Sequence, residues 1–204
     1  MPFNTNRKFI ITALFTIWVF FGACSSDIAP RICFVGDSIT HLWDLDYFFP
    51  EYSTANHGVN GAKIDDIFTW DLSECKDVPT VVLIGTNNLN AIAKSDSLKK
   101  TFLRTYVQKY MKILNQIEAS NYVVISVLPR DRLYKENNAL NPYIKTLNDT
   151  LESSLDQQKF KSSFVNAYPY FLKDSAIIRD YYNDGLHLSE EGYDLLSSLV
   201  RRPL

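Results

Sequence analysis

Four short segments place side chains of catalytic type at spacings that could do acyl-transfer chemistry. Gly36-Asp37-Ser38-Ile39-Thr40 puts a serine just past an apolar run, where a helix would begin. At a helix start the backbone N–H has no intrahelical partner, and the helix dipole favours negative charge nearby. Those conditions suit a nucleophile whose attack creates an oxyanion, although an ordinary N-cap serine fits the same pattern. Asp184-Gly185-Leu186-His187 sets a carboxylate three residues before an imidazole. That spacing lets the carboxylate reach Nδ1–H, fix the tautomer whose Nε2 faces a serine hydroxyl, and stabilise the imidazolium. A surface Asp near a structural His is the plain alternative. Gly85-Thr86-Asn87-Asn88 offers the Asn87 amide to an oxyanion, or else a turn in which Asn bonds its own backbone. Asn56-His57-Gly58-Val59-Asn60-Gly61 offers a bare N–H at Gly58 to the same oxyanion, or a plain turn.

Softer candidates surround these. Asn60 is a candidate substrate contact or a turn former. Arg130 could orient an acyl or sugar group through its guanidinium, and a surface ion pair serves equally well. Trp43, Tyr47, Phe48 and Phe49 could line a pocket, but aromatics at such spacing more often form core. The three histidines, His41, His57 and His187, make no H-x-H or H-E-x-x-H pair, so no metal site is expected.

The elements that must hold these segments alternate strand and helix. Apolar runs predict strands at Arg31–Val35, Tyr52–Asn56, Val78–Ile84, Tyr122–Leu128 and Ser163–Ala167. Helical spacing predicts helices over Thr40–Phe49, Ala62–Leu72, Ser97–Glu118, Asn141–Leu155 and Ser189–Leu199. Asn141 is read as a cap with Pro142 in the first turn, and Ser189 as a second cap. Five strands separated by helices imply an α/β fold, a parallel sheet with helices on both faces. The polar stretch Arg130–Asn138 reads as a loop at the strand C-terminal edge. Ligands bind at that edge in open α/β sheets, and every motif above follows a predicted strand.

Each motif is weak alone, but together they supply nucleophile, base, orienter and extra oxyanion donors. The order Ser38, Gly58, Asn87, Asp184 and His187 resembles the SGNH (GDSL-type) hydrolase superfamily, over nearly all of the chain after residue 30. Gly85-Thr86-Asn87-Asn88, Val127-Leu128-Pro129-Arg130 and Leu186-His187-Leu188 are similar to the branch around the platelet-activating-factor acetylhydrolase catalytic subunits. Asn88 stands where that family often has Asp, a change expected to alter local bonding rather than the donor. The resemblance implies a three-layer α/β/α flavodoxin-like fold with a five-stranded parallel sheet. It also implies a serine esterase with a Ser38-His187-Asp184 triad, an oxyanion hole of Ser38, Gly58 and Asn87, an acyl-enzyme and no cofactor. A carbohydrate O-acetyl ester is the favoured substrate. A lipid or thioester hydrolase, or a non-catalytic envelope binding lipoprotein, is the alternative. No G-x-S-x-G is present, which disfavours the α/β-hydrolase elbow.

The first 23 residues contain no acid and carry Arg7 and Lys8 before the apolar run Phe9–Ala23. A basic start, a short apolar stretch and small residues before a break make a secretory signal. The run is shorter than the ~20 residues that a spanning helix needs. Phe21-Gly22-Ala23-Cys24 resembles a bacterial lipoprotein signal, with an ordinary signal peptide or an uncleaved anchor as the plainer alternative. That likeness implies a signal peptide over 1–23, lipidation at Cys24, a tether over 24–30 and a hydrolase domain over 31–204. The location expected is the cell envelope outside the cytoplasm, periplasm or outer membrane, with membrane contact only through the lipid. An oxidising compartment permits a disulfide between Cys33 and Cys75, but spacing does not fix a Cα distance. With 21 Lys and Arg against 23 Asp and Glu, the net charge of −2 excludes a strongly basic nucleic-acid surface. A content of 46% hydrophobic and 22% charged residues excludes general disorder.

Overall fold

The computed structural model describes residues 29–92, 98–131 and 140–204. The signal segment, Cys24 and most of the Arg130–Asn138 stretch lie outside the described residues. Five parallel strands form one sheet: β1 (Arg31–Gly36), β2 (Ser53–Gly58), β3 (Thr80–Leu83), β4 (Tyr122–Ile125) and β5 (Ser162–Val165). Their spatial order is β2-β1-β3-β4-β5. The chain therefore leaves β1 toward one edge and returns past it to β3. That reversal opens a crevice between the C-terminal ends of β1 and β3, the usual ligand position in such sheets.

The strands read as continuous apolar runs because both sheet faces are covered. Alternate side chains go to opposite layers. Cys33, Val35, Val82 and Val124 join the core under α4 (Leu98–Ile117) and α5 (Asn141–Leu155). Ile32, Phe34, Val81, Val123 and Ile125 join the core under α1 (Ser38–His41), α2 (Leu45–Phe48) and α6 (Glu190–Val200). A one-turn helix, α3 (Leu89–Ile92), precedes α4. Among the described residues no helix is long and apolar enough to cross a membrane.

Several boundaries differ from the sequence reading. The helix expected over Thr40–Phe49 is two separate turns, because Asp37 and Asp44 each cap a fresh start by accepting from Ile39 N and Tyr47 N. The helix expected over Ala62–Leu72 is reduced to a 3₁₀ turn at Asp66–Thr69. Its backbone groups are diverted elsewhere: Ala62 O accepts from Asn87 Nδ2 at 3.0 Å, and Ile64 N donates to Asn88 Oδ1 at 3.0 Å. Asn141 is not a cap; Leu140 holds that position without a side-chain bond. The Asn141 Oδ1 instead accepts from Arg130 N at 3.0 Å. Ser189 does cap α6, accepting from Gly192 N. A small antiparallel hairpin, β6 (Leu172–Lys173) with β7 (Ala176–Ile177), escaped the sequence reading. Its turn residues Asp174 and Ser175 both take positive φ, as a two-residue hairpin loop requires.

Cys33 and Cys75 are joined by a disulfide with a Cα separation of 5.4 Å. Trp43 and Phe49 are core residues and Phe48 sits at its border, while Tyr47 is 64% exposed.

Candidate active site

Ser38 begins α1 directly beyond the end of β1. Its N–H makes no hydrogen bond to a described residue, as the first turn of a helix dictates. The side chain is almost buried, and its Oγ lies 3.0 Å from His187 Nε2 across 149 residues of sequence. His187 Nδ1 lies 2.8 Å from Asp184 Oδ2. The Asp184 Oδ1 accepts from the backbone N–H of Leu186 and of His187, at 2.9 and 2.7 Å. Burial works against ionising Asp184, but hydrogen bonds from the His187 N–H, its imidazole and Leu186 outweigh it and hold the carboxyl below its ordinary value. An ionised carboxylate only accepts, so Nδ1 carries the proton and Nε2 accepts from the Ser38 hydroxyl. Such an array can remove a hydroxyl proton and return it to a leaving group.

Asp37 lies beneath the serine and is 1% exposed. Its carboxylate accepts from the N–H groups of Ile39, Gly85 and Thr86. Burial nevertheless dominates and pushes its pKa up to about 7. The Gly85–Asn88 turn, closed by Asn88 N donating to Gly85 O at 3.0 Å, is thus tied to the root of α1. Asn87 spends one amide hydrogen on Ala62 O, which leaves its second hydrogen for a ligand. Asn88 affects local bonding, as expected, by accepting from Ile64 N.

Gly58 does not present the bare N–H expected of it. That N–H donates to Asn56 Oδ1 at 2.9 Å. Gly58 is needed for packing: an added Cβ would sit 2.2 Å from His41 N and 2.5 Å from His41 Cα. Gly61 in the same loop does offer a donor, since its N–H makes no hydrogen bond to a described residue. Its φ is +76°, with nothing within 4 Å of a Cβ built on it. Val59 N donates to Gly36 O, so this loop starts beside the β1 exit, and Ala62 next to Gly61 holds Asn87. The second glycine of the motif was the available signal for it. Asn60 is exposed on the same loop.

Arg130 is not an open substrate contact. It is 2% exposed, and its guanidinium donates to Thr86 O, Thr86 Oγ1 and Asn90 Oδ1. A groove of about 460 Å³ is lined by Leu42, Asp44, Tyr47, Asn183, Leu188 and Glu190 among others, residues near Ser38 and His187 in sequence. Two of its lining residues are bonded to the backbone of the site, Leu42 N to Ser38 O and Asn183 N to His187 O. The described residues bring metal-ligand atoms together at Cys33, His57 and Cys75, within 4.8 Å of one another. With the two sulfurs joined in the disulfide, that group offers no thiolate.

The family model described as "GDSL-like Lipase/Acylhydrolase family" matches residues 34–195. The chain belongs to this family. A GDSL-like acylhydrolase is an ester-hydrolysing enzyme, and the parallel sheet is the fold of its solved neighbours. The chain is 26% identical over 184 residues to platelet-activating factor acetylhydrolase IB subunit alpha1 of Rattus norvegicus, covering 85% of this chain and 74% of that one. A GDSL-like lipase from Bacteroides thetaiotaomicron superposes with a TM-score of 0.66 at 20% identity, covering 86% of this chain and 87% of the other. An acetylxylan esterase from Geobacillus stearothermophilus gives 0.59 at 16% identity, with coverage of 86% and 94%.

Proposed function

We propose that this GDSL-like acylhydrolase is a serine esterase that removes acetyl groups from carbohydrate. The unbroken series of contacts from Ser38 Oγ to His187 Nε2 at 3.0 Å, and from His187 Nδ1 to Asp184 Oδ2 at 2.8 Å, carries the reading. Ser38 Oγ attacks the ester carbonyl while His187 Nε2 takes its proton. The N–H groups of Ser38 and Gly61 and the spare Asn87 amide hydrogen face the oxyanion, with Gly61 in the role expected of Gly58. The carbon–oxygen bond to the leaving group breaks as His187 returns the proton to the departing alkoxide. Water, deprotonated by the same imidazole, then cleaves the acyl-enzyme and restores Ser38.

The groove beside the site supports a sugar leaving group. It combines an exposed Tyr47 ring, on which a sugar face can stack, with Asp44 and Glu190, which accept from hydroxyls and repel phosphate. On the Cys24 leader reading, the enzyme is tethered to the envelope surface within reach of extracytoplasmic glycans. The likeness to an acetylhydrolase subunit favours short acyl chains, and a lipid ester is the second reading.

The test compares the chain from Ser25 with its Ser38→Ala variant on nitrophenyl esters of rising length and on acetylated xylan. Acetate release from xylan, absent in the variant, is the expected outcome. Turnover of long acyl esters with none of acetylated sugar moves the substrate to lipid. An active Ser38→Ala protein ends the serine mechanism.

A further inference from the structure

We infer that Arg130 is a positioning residue that sets the Asn87 amide in its oxyanion-facing orientation; the inference rests on the oxyanion role proposed above. Three observations converge on the peptide that leads into Asn87. Arg130 Nη1 donates to Thr86 O at 2.9 Å and to Thr86 Oγ1 at 3.2 Å. The Thr86 carbonyl belongs to the same rigid peptide plane as the Asn87 N–H, so holding one atom of the plane orients the other. From the opposite side, Asp37 accepts the Gly85 and Thr86 N–H groups. Thr86 is therefore clamped between a buried carboxylate that also caps the nucleophile helix and a buried guanidinium.

Arg130 is itself anchored to the other half of the site. Its backbone N–H donates to Asn141 Oδ1 at 3.0 Å. Its neighbour Pro129 accepts the Tyr182 hydroxyl at 2.6 Å, and Asp131 N donates to Gly185 O at 2.9 Å. Tyr182 and Gly185 belong to the segment that carries Asp184 and His187. The Pro129–Asp131 strap thus connects the base-bearing loop to the oxyanion-bearing loop, and the Arg130 side chain makes the link to Thr86 and Asn90. The second arm, Nη2 to Asn90 Oδ1 at 2.8 Å, uses the fork geometry that lysine lacks. Asn87 Nδ2 also bonds Ala62 O, so a tilt of the Thr86 peptide would turn the donor away from the reacting carbon while leaving the chain folded.

The experiment is a double-mutant cycle on nitrophenyl acetate with wild type, Arg130→Lys, Asn87→Ala and the pair. Arg130→Lys is expected to lower kcat by about 10–100-fold with KM nearly unchanged, the scale of a misplacement of about 1 Å. In the Asn87→Ala background the same substitution should cost less than about twofold, because the group it positions is gone. A full loss that persists in that background overturns the inference, as does an unchanged kcat. Should Arg130→Lys fail to fold, Asn90→Ala removes one arm of the fork at an exposed side chain, and its cycle with Asn87→Ala decides by the same criterion. Asn87→Ala at wild-type rate would instead remove the oxyanion role itself, and the positioning role with it.

Discussion

A single missing methyl at Gly58 lets β2 run against α1, and the position of Ser38 depends on that closeness. The atoms that a Cβ would meet are backbone atoms of His41, which no rotamer change can move aside. Gly58→Ala should therefore push α1, and Ser38 with it, out of register with His187. A destabilisation on the order of 3 kcal/mol, typical of overpacking, should accompany a fall in kcat. Thermal melts and nitrophenyl acetate kinetics would check it, and a stable, fully active variant would show that the helix has room to move. Gly61 differs in kind: its surroundings are open, and its contribution is an unoccupied N–H. Two glycines three residues apart in one motif look alike in sequence. The side chain of Asn56 and the backbone of His41 tell them apart.

Among the elements, the β1 and β3 exits act as one unit through Asp37. Its carboxyl is raised to about 7 from 3.8 by burial, so the folded protein retains a proton that the unfolded chain releases. Its contribution to stability is fully present below about pH 4 and is lost as pH rises toward 7. Asp184 has the opposite sign, since its carboxyl is held low and its contribution fades only in acid. The difference between wild type and Asp37→Asn isolates the first effect. The variant should gain on wild type between about pH 4 and pH 8, by up to about 4 kcal/mol on the free-energy equivalent of the shift. Melting curves across that range would show it, and a constant offset at every pH would refute it.

This pairing of elements also explains what the sequence made legible. β1, β3, β4, α4 and α5 announce themselves because their apolar residues follow one period from end to end. Ser38 was nominated by its place just after a strand and Asp184 with His187 by their three-residue spacing, each weakly, and the order of the motifs along the chain joined them. The 62–72 segment has the same helical period, yet Asn87 and Asn88 take its backbone groups from 25 and 24 residues away. Arg130 read as a substrate contact or a surface ion pair because its partners Thr86 and Asn90 lie 44 and 40 residues upstream.

At the scale of the whole molecule, the Cys33–Cys75 disulfide closes a loop of 42 residues between β1 and the 3₁₀ turn Ser73–Cys75. The chain-entropy account of such a loop gives about 4 kcal/mol at most. Cys75→Ser, or reduction by dithiothreitol, should lower the urea midpoint accordingly; a midpoint indifferent to reductant would mean that packing alone holds this edge. The closure between the two chain ends matters more for activity. Tyr193 of α6 donates to Ile39 O at 2.7 Å, and Ser197 accepts from the Trp43 indole at 3.0 Å, each across 154 residues. The helix beside the base is thus seated on the helix that bears the nucleophile. An emerging chain carries Ser38 early and His187 late, so on the serine mechanism proposed above a polypeptide still in synthesis has no base for its nucleophile. On that mechanism hydrolysis waits for the final helix to dock, and the chain's chemistry stays silent until its fold is complete.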